Sequence, residues 1–243
     1  MASRYCREWI GHFSGCMVFD QLMLILGNHF KGRIMRVEKD HIGERRLPED
    51  VLYGIHSERA RENFPDRTPF HEEWFRALAT VKLACYQTYE KFKKAIGHKY
   101  PDAAVPVKLM DDEVLNALMK SAEELTTGGH FDSFIVPAVQ GGAGTSINMN
   151  INEIITNSAL LRLNRKCGEY DRIDPIEHAN VYQSTNDVVP TSLKVAAMKL
   201  LEQLEAQINR MRGALEKLEQ KHRDDLRIGY TQMQEAVPSS FGK

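Results

Sequence analysis

The sequence predicts a mainly α-helical protein, a small helical domain followed by the beginning of a bundle of long helices. Two amphipathic stretches with helix end signals, one after Pro69 and one after Asp111, support this reading. A third observation is stronger: after Pro190, Leu193, Ala197, Leu200, Leu204, Ile208, Met211, Leu215 and Leu218 recur at spacings of four and three, as a bundle helix requires. Strand-like runs are rare throughout. A chain of 243 residues with 42% hydrophobic and 27% charged side chains can bury a sizeable core in one or two domains.

Residues 1–34 form an N-terminal extension without an assigned role. Its apolar run "MVFDQLMLIL" is interrupted by Asp20 and Gln21 and falls short of the ~20 residues of a spanning helix. Arg4 and Arg7 do not make a signal peptide, because His12 and Asp20 follow and no small-residue cleavage site does. The first clear helix begins near Pro69 in an acid-rich turn, places Trp74, Leu78, Val81 and Ala84 or Cys85 on one face, and stops at Gly97 after lysines. Asp111 or Asp112 caps a second helix that lines up Val114, Leu115, Leu118, Met119, Ala122 and Leu125 before Gly128 and Gly129. The last helix, residues 190–224, would run ~50 Å. One apolar seam of that length needs partners in other chains or in residues beyond this sequence.

Lys and Arg number 32 against 33 Asp and Glu, leaving a net charge of -1 with no long block of one sign. That balance removes nucleic acid and anionic membrane from the expected partners. Cys6, Cys16, Cys85 and Cys167 form no C-x-x-C pair, so neither a zinc site nor a disulfide framework is expected, and a reducing, cytoplasmic setting fits.

Residues 140–154, "QGGAGTSINMNINEI", are the first chemically suggestive stretch. A Walker loop needs a lysine before its Ser/Thr, and none is present; a dinucleotide fingerprint needs a third glycine where Ile147 stands. A glycine turn with Thr145 or Ser146 as N-cap of a helix carrying Ile147, Ile151 and Ile154 accounts for the spacing. A second stretch, "HANVYQSTNDVVPTS", again sets Ser184, Thr185 and Asn186 just before a helix. Each has a capping explanation. Together, two clusters of neutral donors suit a carboxylate whose charge grows during reaction.

With "EKDHIGERRLPEDVLYGIHSERARENF" near the start and "GYTQMQEAVPSSFG" near the end, these blocks make residues 35–243 resemble the fumarase/aspartase superfamily, its aspartate ammonia-lyases most closely. The resemblance implies a fold of that type, with residues 35–181 as the N-terminal domain and 182–243 as the beginning of the central helical bundle. It implies β-elimination from a small dicarboxylate through an aci-carboxylate intermediate, with no cofactor and no metal. It implies a homo-oligomer, a tetramer whose sites are shared between subunits. By matching position, the substrate-binding residues are Thr145, Ser146, Ser184, Thr185, Asn186, Thr231 and Gln232. Asn148 is expected to brace the loop, Asn150 and Asn152 to bond local backbone, and His178 to play no catalytic part. Gln232 where many members carry histidine, with the Tyr53-Gly54-Ile55-His56 and Arg59-Ala60 pattern, favours L-aspartate; a fumarate hydratase-like lyase and a non-catalytic remnant are the alternatives. The family's catalytic serine lies on a Gly-Ser-Ser loop that does not occur here, and Ser239 and Ser240 are not its equivalents. The expectation is therefore an incomplete, inactive N-terminal part of a lyase.

Overall fold

The first strands turn charge inward. In the computed structural model, which describes residues 34–66, 68–100 and 108–242, β1 (Met35–Asp40) pairs antiparallel with β2 (Gly43–Pro48). Residues 1–33, with Cys6, Cys16 and the apolar run at 17–26, lie outside the described residues. Met35 and Val37 are exposed, whereas Glu38 is buried. Arg36 bridges Glu38 at 2.8 Å and donates to the carbonyls of Pro48, Val51 and Tyr53, while Arg59 grips Asp40 at 2.6 and 2.8 Å. This inverts the usual apolar-in alternation of a half-buried strand, which is why the sequence shows no strand there.

Helix α1 (Ile55–Asn63) follows, then α2 (Glu72–Lys99), whose first turn is capped by His71 Nδ1 accepting from the Glu73 N–H at 3.1 Å. The helix runs past the predicted stop at Gly97. Its buried stripe is also rotated from the predicted one: Phe75, Leu78, Lys82, Tyr86 and Tyr89 point inward, Trp74 and Val81 are half-buried, and Ala84 is exposed. The predicted face passed over Lys82, which is fully buried. α3 (Asp112–Thr126) buries Val114, Leu115, Leu118, Ala122 and Leu125 as predicted, with Met119 half-buried; its N-cap residue Asp111 makes no side-chain cap bond.

α4 (Thr145–Arg162) is the central helix, buried at each position from 147 to 160 except Met149, which is half-buried. Its N-cap is Gly144, not Thr145 or Ser146. α5 (Thr185–Lys221) begins where the Ser184 hydroxyl accepts from the Asn186 N–H at 3.2 Å, so Pro190 lies inside the helix instead of opening it, and the helix ends before residue 224. Pro190 is the sixth residue of the helix, past the first turn, and removes one N–H from its hydrogen-bond ladder.

Early in α5 the Trp74 indole donates to the Ser192 hydroxyl at 3.0 Å, and Lys199 pairs with Glu73 at 3.5 Å. Beyond that, Leu204, Ile208, Met211, Leu215 and Leu218 are all about half exposed. With 37 residues the helix is about 55 Å long. At its far end β3 (Leu226–Thr231) and β4 (Gln234–Ser240) make a second antiparallel hairpin, exposed along nearly its whole length. Gln232 and Met233 turn it with φ of 52° and 64°, the left-handed pair a two-residue hairpin loop favours. Glutamine and methionine carry none of the Asn-Gly signal for such a turn, so neither hairpin was legible in sequence, although the mainly α class was.

Leu118, fully buried between α3 and its neighbours, sets the scale of the core. Leu118→Ala is expected to lower the unfolding free energy by about 2–5 kcal/mol in urea titration. Leu161→Ala, at a position 51% exposed, should change it by less than ~0.5 kcal/mol.

Candidate functional site

Asn148 and Asn152, four residues apart, share a face of α4, whereas Asn150 between them points to the opposite side, because each helical residue turns the side chain by about 100°. Asn148 faces the start of α5: its Nδ2 donates to Asn180 Oδ1 at 3.0 Å and to Thr185 Oγ1 at 3.3 Å. Asn150 faces the other way, accepting from the N–H groups of Ile135 and Val136 at 2.9 and 3.3 Å and donating to the Ser133 carbonyl. Its partners are backbone, as expected, but lie 14 to 17 residues away and not in the local turn. Asn152 does not follow the expectation, since its buried Oδ1 has no partner among the described residues.

The glycine turn before α4 packs directly onto α5. Gly144 has φ 83°, and a Cβ there would stand 3.0 Å from Val189 Cγ1, so both backbone and space call for glycine. The turn and the Asn148 bond join the two hydroxyl-rich blocks. Thr145, exposed, and Ser146, half-buried, open into a cavity of about 660 Å³ lined also by Asp40, His41, His56, Arg59 and Met149. Arg59 brings no free charge to it, because Asp40 neutralises it; the same hydrogen bond holds the Asp40 carboxyl down at about 2.

His56 and Arg59 are placed in that cavity by a clamp from α4 itself. Glu153, fully buried, accepts from the N–H groups of Gly54, His56 and Ser57 at 2.8, 2.9 and 3.2 Å and from the Ser57 hydroxyl. Glu38 takes the remaining Ile55 N–H at 2.8 Å and a bond from the Tyr170 hydroxyl. Two carboxylates thus satisfy the free donors at the start of α1 and sit at the positive end of its dipole. Gly54 leaves them room, since a Cβ there would fall 2.5 Å from Tyr170 Oη and 2.7 Å from Glu153 Cδ. Burial nevertheless dominates and pushes Glu153 up to about 7, against the pull of the donors around it.

On the opposite side of α4, the Lys82 ammonium donates to Asn180 Oδ1 at 2.9 Å, and burial draws it down to about 7. His178 accepts from the Asp174 N–H at 3.0 Å through Nδ1, a bond internal to its turn. Ser184 spends its hydroxyl on the α5 cap, and Asn186 beside it is exposed. Thr231 and Gln232 stand apart from all of these, exposed at the tip of the second hairpin beyond the 37-residue helix. Asn148 ties Thr185 to α4, while Thr145 and Ser146 open into the cavity beside α1, whose lining does not include Thr185; Thr231 and Gln232 lie apart from both. Lys82, Glu153, Glu38 and Asn180 were missed; the only sequence signals for them are a lysine on an otherwise apolar helix stripe and an acid inside the isoleucine run of α4.

A family model described as Lyase matches residues 43–243. An aspartate ammonia-lyase of Bacillus subtilis (strain 168) is 39% identical over 209 residues, covering 86% of this chain and 41% of that protein. A Brucella melitensis structure described as fumarate lyase:delta crystallin superposes with a TM-score of 0.76 at 34% identity, covering 86% of this chain and 46% of that one. The class II fumarase of Schistosoma mansoni superposes with a TM-score of 0.74 at 26% identity, with 86% and 41% covered. The chain spans about two fifths of the length of the curated relatives it matches.

The Glu153 clamp has a pH signature. Between the ordinary glutamate value of 4.5 and about 7, the folded protein holds a proton there that the unfolded chain has released, so stability from this group falls as pH rises through that window. Urea titrations at pH 5 and pH 7.5 should show a steeper loss in the wild type than in Glu153→Gln; parallel losses would refute the assignment.

Proposed function

Because the chain belongs to the lyase family of fumarases and aspartate ammonia-lyases, we propose that the whole protein converts L-aspartate to fumarate and ammonia. The observation that carries this reading is the junction of the two hydroxyl blocks across Asn148, which sets Thr145, Ser146 and Thr185 around one end of α4. In such an elimination a proton leaves the carbon next to one carboxylate and its electron pair moves into that carboxylate. The carbon–nitrogen bond then breaks, and ammonia departs. The carboxylate passes through a doubly charged state, which fixed neutral donors stabilise without the cost of burying a permanent cation against it. Ser184 and Asn186 stand beside this cluster. Proton abstraction is assigned to none of the residues described, and residues 1–243 expressed by themselves are expected to release no ammonia.

Thr231 and Gln232 complete the donor set from another subunit in this proposal. The support is their exposure at the end of a helix about 55 Å long whose apolar residues from Leu204 to Leu218 lack cover among the described residues. A homotetramer in the cytoplasm, with residues 35–181 as the N-terminal domain and 182–243 opening the bundle, is the assembly that fits. A fumarate hydratase is the second reading, favoured by the likeness to the schistosome fumarase; Gln232 at the hairpin tip weighs toward an amine leaving group.

The full-length protein should form fumarate readily from L-aspartate, followed by ultraviolet absorbance and ammonia release. Ready turnover of L-malate without turnover of L-aspartate would replace this reading with the hydratase. Thr145→Ala and Thr231→Ala should each lower kcat by roughly 10²-fold. Co-assembling the two variants should recover part of the activity, since some sites then collect both intact blocks; no recovery would place the two threonines in one subunit's site.

A further inference from the structure

Four side chains make a directed chain of hydrogen bonds from the interior face of α2 to the start of α5. Lys82 is its root. An ammonium can only donate, so the amide atom 2.9 Å from Lys82 Nζ is the oxygen of Asn180, and the Asn180 Nδ2 is left to donate to the Gln183 carbonyl at 2.9 Å. That oxygen also receives the Asn148 amide at 3.0 Å, which fixes Asn148 with its Nδ2 toward it. The same Nδ2 lies 3.3 Å from Thr185 Oγ1, so the Thr185 oxygen accepts. Its proton must point elsewhere, and among the described residues it has no acceptor.

We infer that Lys82 is a positioning residue for the substrate site, its buried ammonium setting the amide orientations that make Thr185 a hydrogen-bond donor to a substrate carboxylate. Stability does not explain the lysine. It is fully buried and bonded to one neutral amide, and no carboxylate among the described residues forms an ion pair with it. A buried charge held this way costs folding energy, and an apolar side chain of similar length is commonly neutral or stabilising in its place.

The inference rests on the dicarboxylate reading, and the test separates the two. Succinate, an unreactive dicarboxylate, is titrated calorimetrically into the full-length protein and into Lys82→Met, Thr185→Ala and the double variant. Lys82→Met should keep or raise the thermal midpoint while weakening succinate binding about tenfold, roughly the loss of one good hydrogen bond to a charged group. Because Lys82 acts through Thr185, the double variant should bind no more weakly than Thr185→Ala. Lys82→Gln, whose amide can still donate to Asn180, should recover part of the affinity and carries the comparison if the methionine variant does not fold. Wild-type affinity in Lys82→Met, or additive losses in the double variant, would overturn the inference and leave the proposed function standing. A wild-type protein that binds no succinate would overturn the dicarboxylate reading, and the inference with it.

Discussion

A helix buried on nearly all sides needs hydrogen-bond partners for the polar side chains it takes out of water, and α4 carries Asn148, Asn150, Asn152, Glu153, Thr156, Asn157 and Ser158 into the interior, where Asn148 Oδ1, Asn152 Oδ1 and Thr156 Oγ1 find none among the described residues. An unmet group there costs about 1–3 kcal/mol, which is a large part of a typical domain's net stability. The surrounding architecture follows from meeting those needs. Asn150 ties the 133–136 loop, Asn157 holds the Leu52 carbonyl at 2.7 Å and the Gly168 N–H at 2.8 Å, and Glu153 gathers the start of α1. Segments far apart in sequence are fixed to one rod by polar bonds, with the apolar core filling the space between them.

Two of these attachments involve buried ionisable groups on opposite sides of α4. Glu153 and Glu38 cap α1, and Lys82 supports the turn before α5. Both arrangements move the group toward its neutral form, Glu153 upward and Lys82 downward, because desolvation outweighs the few dipoles arranged around each. The carboxylate has a helix N-terminus to repay part of that cost. The lysine has one amide oxygen. That asymmetry distinguishes a structural clamp from a group whose placement answers to something outside the core.

The long helix divides the candidate site. Its first turns belong to the core, through Ser192, Ala196 and the Gly144–Val189 contact, while its far end lifts the second hairpin away from every other donor. A rigid element of this length cannot bring Thr231 back to Thr185 in the same chain. The apolar residues along the intervening stretch of α5 are about half exposed among the described residues.

Periodicity by itself determined the mainly α class, the inward residues of α3 and the existence of α2, α4 and α5, because their apolar side chains recur at the spacing the helical backbone imposes. The two hydroxyl-rich blocks stand out in the sequence, but only the tertiary structure joins α4 to the second of them, through Asn148 and Thr185. The first hairpin could not be read, since its inward side chains are Arg36, Glu38 and Asp40, each neutralised by a partner that only folding supplies. The second hid behind a Gln-Met turn with no local preference for left-handed backbone. Lys82 shows the same limit within a helix: nothing in its residue type marks it for burial, and only the packing of α2 against the Asn180 turn encloses it. Short-range pattern records what each residue prefers alone, whereas burial of a charge is decided by partners scores of residues away.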